Sequence, residues 1–103
     1  MMTEYEYIFS NTLRNKLIDK VKGGVKTWIY DDELHISIRL EECGIQFEHI
    51  IPNISERILN GYATDYAVYE VVQIYHSFIR NRFFKWISKD SWLEIVEGLL
   101  VFE

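Results

Sequence analysis

Cysteine, proline and alanine are nearly missing from this chain, and no apolar run approaches the length of a membrane span. Cys43 is the sole cysteine, so no internal disulfide can form, which fits a reducing compartment. The start, Met-Met-Thr-Glu-Tyr-Glu, has neither the basic residues nor the apolar stretch of a signal peptide. The longest apolar runs fall far short of the roughly 20 residues a bilayer requires, so the expected location is the cytoplasm. Pro52 is the only proline and Ala63 and Ala67 the only alanines, whereas isoleucine occurs fourteen times. That usage follows AT-rich codons and points to a low-GC bacterial or phage gene. A net charge of −5 argues against dispersed binding to nucleic acid or anionic membrane, which takes an excess of lysine and arginine.

What is present suffices for one folded domain. The 103 residues are 49% hydrophobic and 16% aromatic, and a chain of this size buries about two-thirds of its unfolded surface. Residues 1–103 therefore read as a single domain with no linker, repeat or low-complexity stretch.

Charge is sorted along the chain. Between Asp31 and Glu70 lie nine acids (Asp31, Asp32, Glu33, Glu41, Glu42, Glu48, Glu56, Asp65 and Glu70) against Arg39 and Arg57, a local net of −7. The flanking stretches, Asn11 to Tyr30 and Val71 to Lys89, are each net +4. One-sided fields of this kind govern which partners are attracted and how fast.

The hydrophobic period changes twice. From about Glu4 to Lys22 apolar residues recur at helical spacing (Tyr5, Phe9, Leu13, Leu17 and Val21, with Ile8 and Ile18 beside them), which predicts an amphipathic helix. Thr3 and Glu6 have the spacing of a capping box, and Gly23-Gly24 is the expected stop. The period then becomes two. Val25 to Tyr30 suits a strand, Asp31-Asp32 a tight turn, and Glu33 to Leu40 alternates between Leu34, Ile36, Ile38, Leu40 and Glu33, His35, Ser37, Arg39. Glu41 to Gly44 is a second turn, Ile45 to Ile51 a third strand, and Pro52 closes it. Helices return after Pro52. Asn53 and Glu56 offer a cap for a short one ending at Asn60-Gly61, and Thr64 or Asp65 a cap for a long one reaching about Ile87. Val68, Val71, Val72, Tyr75, Phe78, Ile79, Phe83, Trp86 and Ile87 form its apolar side. Ser91 and Glu94 open a last short helix that Gly98 ends, and Leu99 to Phe102 is a strand or a docked tail. The expected fold is α+β: an N-terminal helix, a three-stranded antiparallel β-meander, then C-terminal helices packed on one face, in the order α-β-β-β-α-α.

No constellation of catalytic or metal-binding residues survives scrutiny. Asp31-Asp32-Glu33 lacks the alternating acids and the glycine of a calcium loop, and adjacent side chains in a turn diverge; a solvated turn is the better reading. His35, His49 and His76 have no zinc spacing, and Cys43 has no neighbouring base in sequence. Gly23-Gly24 follows a helix, whereas a phosphate loop precedes one. No enzyme, no cofactor and no metal is expected. Arg80 to Trp86 mixes basic and aromatic residues as single-strand binders do, but Phe83 and Trp86 continue the core stripe, so core plus solvated face is preferred. Trp28 and Tyr30 share the strand face opposite Val25, Thr27 and Ile29. They are either interface anchors or covered by a second element such as the carboxyl-terminal tail.

Meander geometry divides the acids. The turns at Asp31-Asp32 and Glu41-Glu42 lie at opposite ends of the sheet, on the order of 25 Å apart at about 3.3 Å per residue, beyond a Debye length of about 8 Å. Lys22 and Lys26 enter at the Glu41 end and neutralise it. The Asp31 end, with Glu56 and Asp65 following in the chain, is expected to keep uncompensated charge.

This layout, in a small acidic protein of low-GC character, resembles the type II-A anti-CRISPR proteins of phages and mobile elements. The resemblance covers most of the chain by element order and rests on no diagnostic motif; the long helix departs from it in being aromatic and partly basic. It implies a DNA mimic that presents carboxylates to the basic groove of an RNA-guided nuclease. The expected function is accordingly that of a binding protein inhibiting a nucleic-acid-handling partner. Asp31, Asp32, Glu33, Glu56 and Asp65 would compete for the partner's basic side chains, with Trp28 and Tyr30 as anchors. The alternatives are an accessory protein that binds nucleic acid through the basic faces of the first and long helices, and a structural homodimer using the long helix.

Overall fold

A computed structural model describes residues 3–40 and 44–83, without the side chains of Arg82 and Phe83. The order is helix α1 (Glu4–Ile18), strands β1 (Gly24–Tyr30), β2 (Glu33–Leu40) and β3 (Ile45–Ile51), then helices α2 (Ile54–Leu59) and α3 (Thr64–Phe83). The strands form one antiparallel sheet in the order β1-β2-β3. This is the predicted α+β arrangement. The readings at Glu41–Cys43, Phe84 to Ile87, Ser91 to Gly98 and Leu99 to Phe102 lie outside the described residues.

The two antiparallel ladders place alternate residues on opposite faces. Val25, Thr27 and Ile29 pair with Ile38, Ile36 and Leu34, which pair in turn with Phe47, His49 and Ile51. This face is covered by α1 and α3 and forms the core with Phe9, Leu13, Leu17, Ala67, Val71, Tyr75 and Ile79. α1 lies over β1: Ser10 Oγ donates to Thr27 Oγ1 and Thr27 Oγ1 donates to the Ser10 carbonyl, both at 2.9 Å. α3 lies over β3, where the Phe47 ring meets Tyr75 edge-on at 5.2 Å and Phe78 at 5.3 Å.

The capping box at Thr3 and Glu6 is present: Glu6 N donates to Thr3 Oγ1 at 3.2 Å and Thr3 N to Glu6 Oε2 at 3.3 Å. The end of α1 differs from expectation. It stops at Ile18, not Lys22, because Lys20 N and Val21 N both turn onto the Leu17 carbonyl. That turn frees Val21 to form a β-bridge and bury its side chain. The buried stripe is also rotated from the predicted one. Glu6, Phe9, Ser10, Leu13 and Leu17 face inward, while Tyr5, Ile8 and Ile18 are exposed, because the Ser10–Thr27 contact fixes how the helix rolls on β1.

Two further caps differ. Asn53 has positive φ and makes no side-chain cap. Instead, Ile54 N donates to the Asp32 carbonyl at 3.1 Å and Ser55 N to Asp32 Oδ1 at 3.0 Å. α2 is thus capped from the hairpin turn rather than from its own flank. Neither Thr64 nor Asp65 caps α3, which starts at Thr64 with the Ala63 carbonyl accepting from Tyr66 and Ala67.

Candidate functional site

Among the described residues, no helix packs on the second face of the sheet. Its cross-strand rows read Tyr30–Glu33, Trp28–His35–Ile50, Lys26–Ser37–Glu48 and Gly24–Arg39–Gln46. Trp28 and Tyr30 stand on it as the alternation predicts, 42% and 72% exposed. The Trp28 ring stacks on His35 at 5.2 Å with 8° between planes. His35 Nε2 is buried without a hydrogen-bond partner; Glu33 Oε1 is 3.8 Å away, beyond bonding reach. Ile50 extends this row as an exposed apolar side chain. Sequence reasoning missed His35 and Ile50 as site members. The usable signal was the pairing of Trp28 with His35 and of His35 with Ile50, hidden because Ile50-Ile51 interrupts the alternation of β3.

The acids divide into those at the hairpin end and one elsewhere. Asp31 and Asp32, with φ of 51° and 58°, form the two-residue turn of a primed hairpin, in which both central residues need positive φ. Both are exposed. Asp32 has a structural task in capping α2, and that bond carries Glu56, the next residue after Ser55, to the same end. Glu33 is half-buried beside His35. Asp31, Asp32 and Glu33 therefore lie at the hairpin end beside Tyr30, and Glu56 lies on α2, whose start is bonded to Asp32.

Asp65 does not join them. Its carboxylate accepts from Lys16 Nζ at 2.8 Å, which also donates to Thr64 Oγ1 at 2.8 Å. Lys16 thus pairs with Asp65 and balances its charge. Glu70 is engaged too, 3.1 Å from His49 Nε2 between α3 and β3.

Glu56 rims a cleft of about 470 Å³ shared with Asn53, Arg57, Asn60, Tyr62 and Tyr66. Arg57 Nε donates to the Pro52 carbonyl at 2.8 Å, and its guanidinium lies 5.4 Å over the Tyr62 ring. Burial pushes the Tyr62 phenol up to about 12 from 10.0, with the Glu70 carboxylate adding to the rise and Arg57 opposing it. A phenol whose folded pKa is raised stabilises the fold fully below the unfolded value and loses that contribution as pH climbs through the folded one. The melting temperature is therefore expected to fall between about pH 10 and 12, and less steeply in Tyr62→Phe than in the parent. Equal slopes in the two proteins would assign the alkaline loss to other groups.

Among the described residues no group of three or more His, Cys, Asp or Glu side chains is placed to hold a metal ion. None of the described helices is long and apolar enough to cross a membrane. The basic side chains of α1 are partly committed: Lys16 to Thr64 and Asp65, and Arg14 Nε to the Val25 carbonyl at 3.4 Å. No protein-family model, curated protein or solved structure matches the chain.

Proposed function

We propose that this chain is a non-enzymatic cytoplasmic binding protein. In this reading its acid-rimmed sheet end docks on the basic nucleic-acid-binding groove of a partner, in the manner of the type II-A anti-CRISPR proteins it resembles. What supports the reading is that Asp31 and Glu33 flank the exposed Tyr30 at the hairpin end, with Trp28 on the same face and Glu56 on α2, whose start is bonded to Asp32. Exposed aromatic side chains beside like-sign charge suit an interface in which charge steers encounter and aromatic burial retains the complex. Capping by Asp32 and pairing of Asp65 narrow the active acids to Asp31, Glu33 and Glu56, a smaller set than sequence suggested.

Guide-directed DNA cleavage by a panel of type II-A nucleases tests the reading. At near-stoichiometric chain, cleavage by at least one nuclease is expected to stop. The double variant Asp31→Lys/Glu56→Lys, which spares the Asp32 cap, should need about tenfold more protein, equivalent to ~1.4 kcal/mol, and its binding should depend less on salt. Uninhibited cleavage across the panel, or inhibition indifferent to the reversal, contradicts it.

A further inference from the structure

Shape and charge both invert along the open face of the sheet. Nearest the hairpin turn the face is raised and aromatic, with Trp28, Tyr30 and Ile50 exposed. At the other end it is recessed. Gly24 has no side chain, Ser37 is short and buried, and a depression of about 380 Å³ opens between Lys26, Arg39, Gln46 and Glu48. Charge follows the same axis: Glu33 belongs to the first cross-strand row, with Asp31 beyond it, while Lys26 and Arg39 belong to the last two.

A surface whose two halves complement each other is matched by its own copy under a two-fold axis. We propose that the open face binds a second copy of the chain, sheet against sheet, about a two-fold lying across the strands at the level of Ile36. This operation sets the first row of one copy over the last row of the other and the second row over the third. Tyr30 then lies over Gly24 and the depression of the second copy, and Glu33 meets Arg39. The Trp28 ring faces Lys26, an arrangement that attracts a cation to the ring face. Glu48 falls opposite Ile50 on the outer strand, where its carboxylate stays at the wet rim. The other two-fold, parallel to the strands, stacks Arg39 on Arg39 and Glu33 on Glu33, and like charges directly opposed are destabilising.

The footprint is modest. Three strands at about 4.8 Å spacing and seven residues at about 3.3 Å each give a footprint of roughly 330 Å² per copy. Allowing for the corrugation of the side chains, the total buried is on the order of 1,000 Å², the low end for a specific interface. A contact of this size suits reversible association. It hides Trp28 and Tyr30, so self-association and capture of a partner exclude one another. The inference rests on the geometry of the open face, not on the identity of that partner.

Sedimentation equilibrium of the full chain from low micromolar to sub-millimolar concentration tests it. The parent is expected to rise from monomer to dimer mass. Glu33→Arg and Arg39→Glu each place like charges opposite one another twice per dimer and should raise the dissociation constant at least about tenfold, ~1.4 kcal/mol. The double variant Glu33→Arg/Arg39→Glu restores both pairs and should dimerise like the parent, with circular dichroism showing each variant folded. A monomer at every concentration overturns the proposal and leaves the face to another occupant. A dimer that ignores both reversals also overturns it and moves the contact elsewhere, such as the outer side of α3. Failure of the double variant to regain dimerisation where the singles lose it removes the Glu33–Arg39 pairing and the two-fold with it.

Discussion

Replacing Gly23 with alanine is expected to lower the free energy of unfolding by roughly 3–5 kcal/mol. Gly23 has φ of +125°, a conformation that costs an L side chain about 1–3 kcal/mol on its own. Space compounds the cost. A Cβ at this position would lie 2.5 Å from the Arg39 carbonyl oxygen and 3.4 Å from Leu40 Cδ2. The nearer atom belongs to the backbone of the central strand, which cannot yield without disturbing its pairing with both neighbours. The residue links the end of α1 to β1, where Val21 and Val25 are both buried, so the whole entry of the chain into the sheet would shift. Gly24 is the internal control: nothing lies within 4 Å of its added Cβ, and Gly24→Ala is expected to stay within about 0.5 kcal/mol of the parent. Urea denaturation of the two variants checks this. Equal midpoints would show that the close approach at Gly23 contributes nothing.

Truncating Phe47 to alanine should cost about as much, roughly 3–5 kcal/mol, but for a different reason. Phe47 is only 3% exposed, and its ring bridges β3 to Tyr75 and Phe78 of α3. Removing it leaves a cavity bounded by two aromatic rings that cannot collapse onto a strand, so both the transfer and the cavity contributions are lost. His49 with Glu70 is a further tie between α3 and β3, and the damage falls on how α3 is held. Chemical denaturation of Phe47→Ala, Phe78→Ala and the double variant should give losses that do not add, because the two rings share one contact. Strict additivity, or a loss near 1 kcal/mol for Phe47→Ala, would mean that α3 is held elsewhere.

How much of this was legible in the sequence varies by element. The bounds of β2 and β3 and the Asp31-Asp32 turn read directly, because alternation and turn chemistry are local. α1 was legible as a helix, and its capping box could be placed, but its inward face was not. Glu6 and Ser10 are buried polar residues, and the apolar Tyr5, Ile8 and Ile18 outvoted them in a periodicity count. What turned the helix was a bond from Ser10 to Thr27, seventeen residues away. Likewise, the cap of α2 comes from Asp32, twenty-three residues before Ser55, and Lys16 reaches Asp65 across forty-nine. Spacing within one element carries no trace of such partners. For the candidate site the pattern was clear on Trp28 and Tyr30, since alternation alone puts them opposite the core. It was silent on His35 and Ile50, whose membership depends on strand register. The acids were legible as charge but not as free charge: Asp32 and Asp65 already have intramolecular work.

The central claim is that a partner seats on the open face near the Asp31 turn, and aromatic side chains distributed over the whole surface can report on it. Trp28 and Tyr30 mark that face, Tyr5 and Tyr7 mark α1, and Tyr66 and Tyr69 mark the outer side of α3, all exposed in the free chain. Hydroxyl-radical footprinting, run at a dilution where the free chain is monomeric and in complex with an inhibited nuclease, compares them in one sample. Oxidation of Trp28 and Tyr30 is expected to be suppressed on binding while Tyr66 and Tyr69 stay at their free-chain rates. Suppression at Tyr66 and Tyr69 with Trp28 and Tyr30 unchanged would place the partner on the long helix and contradict it.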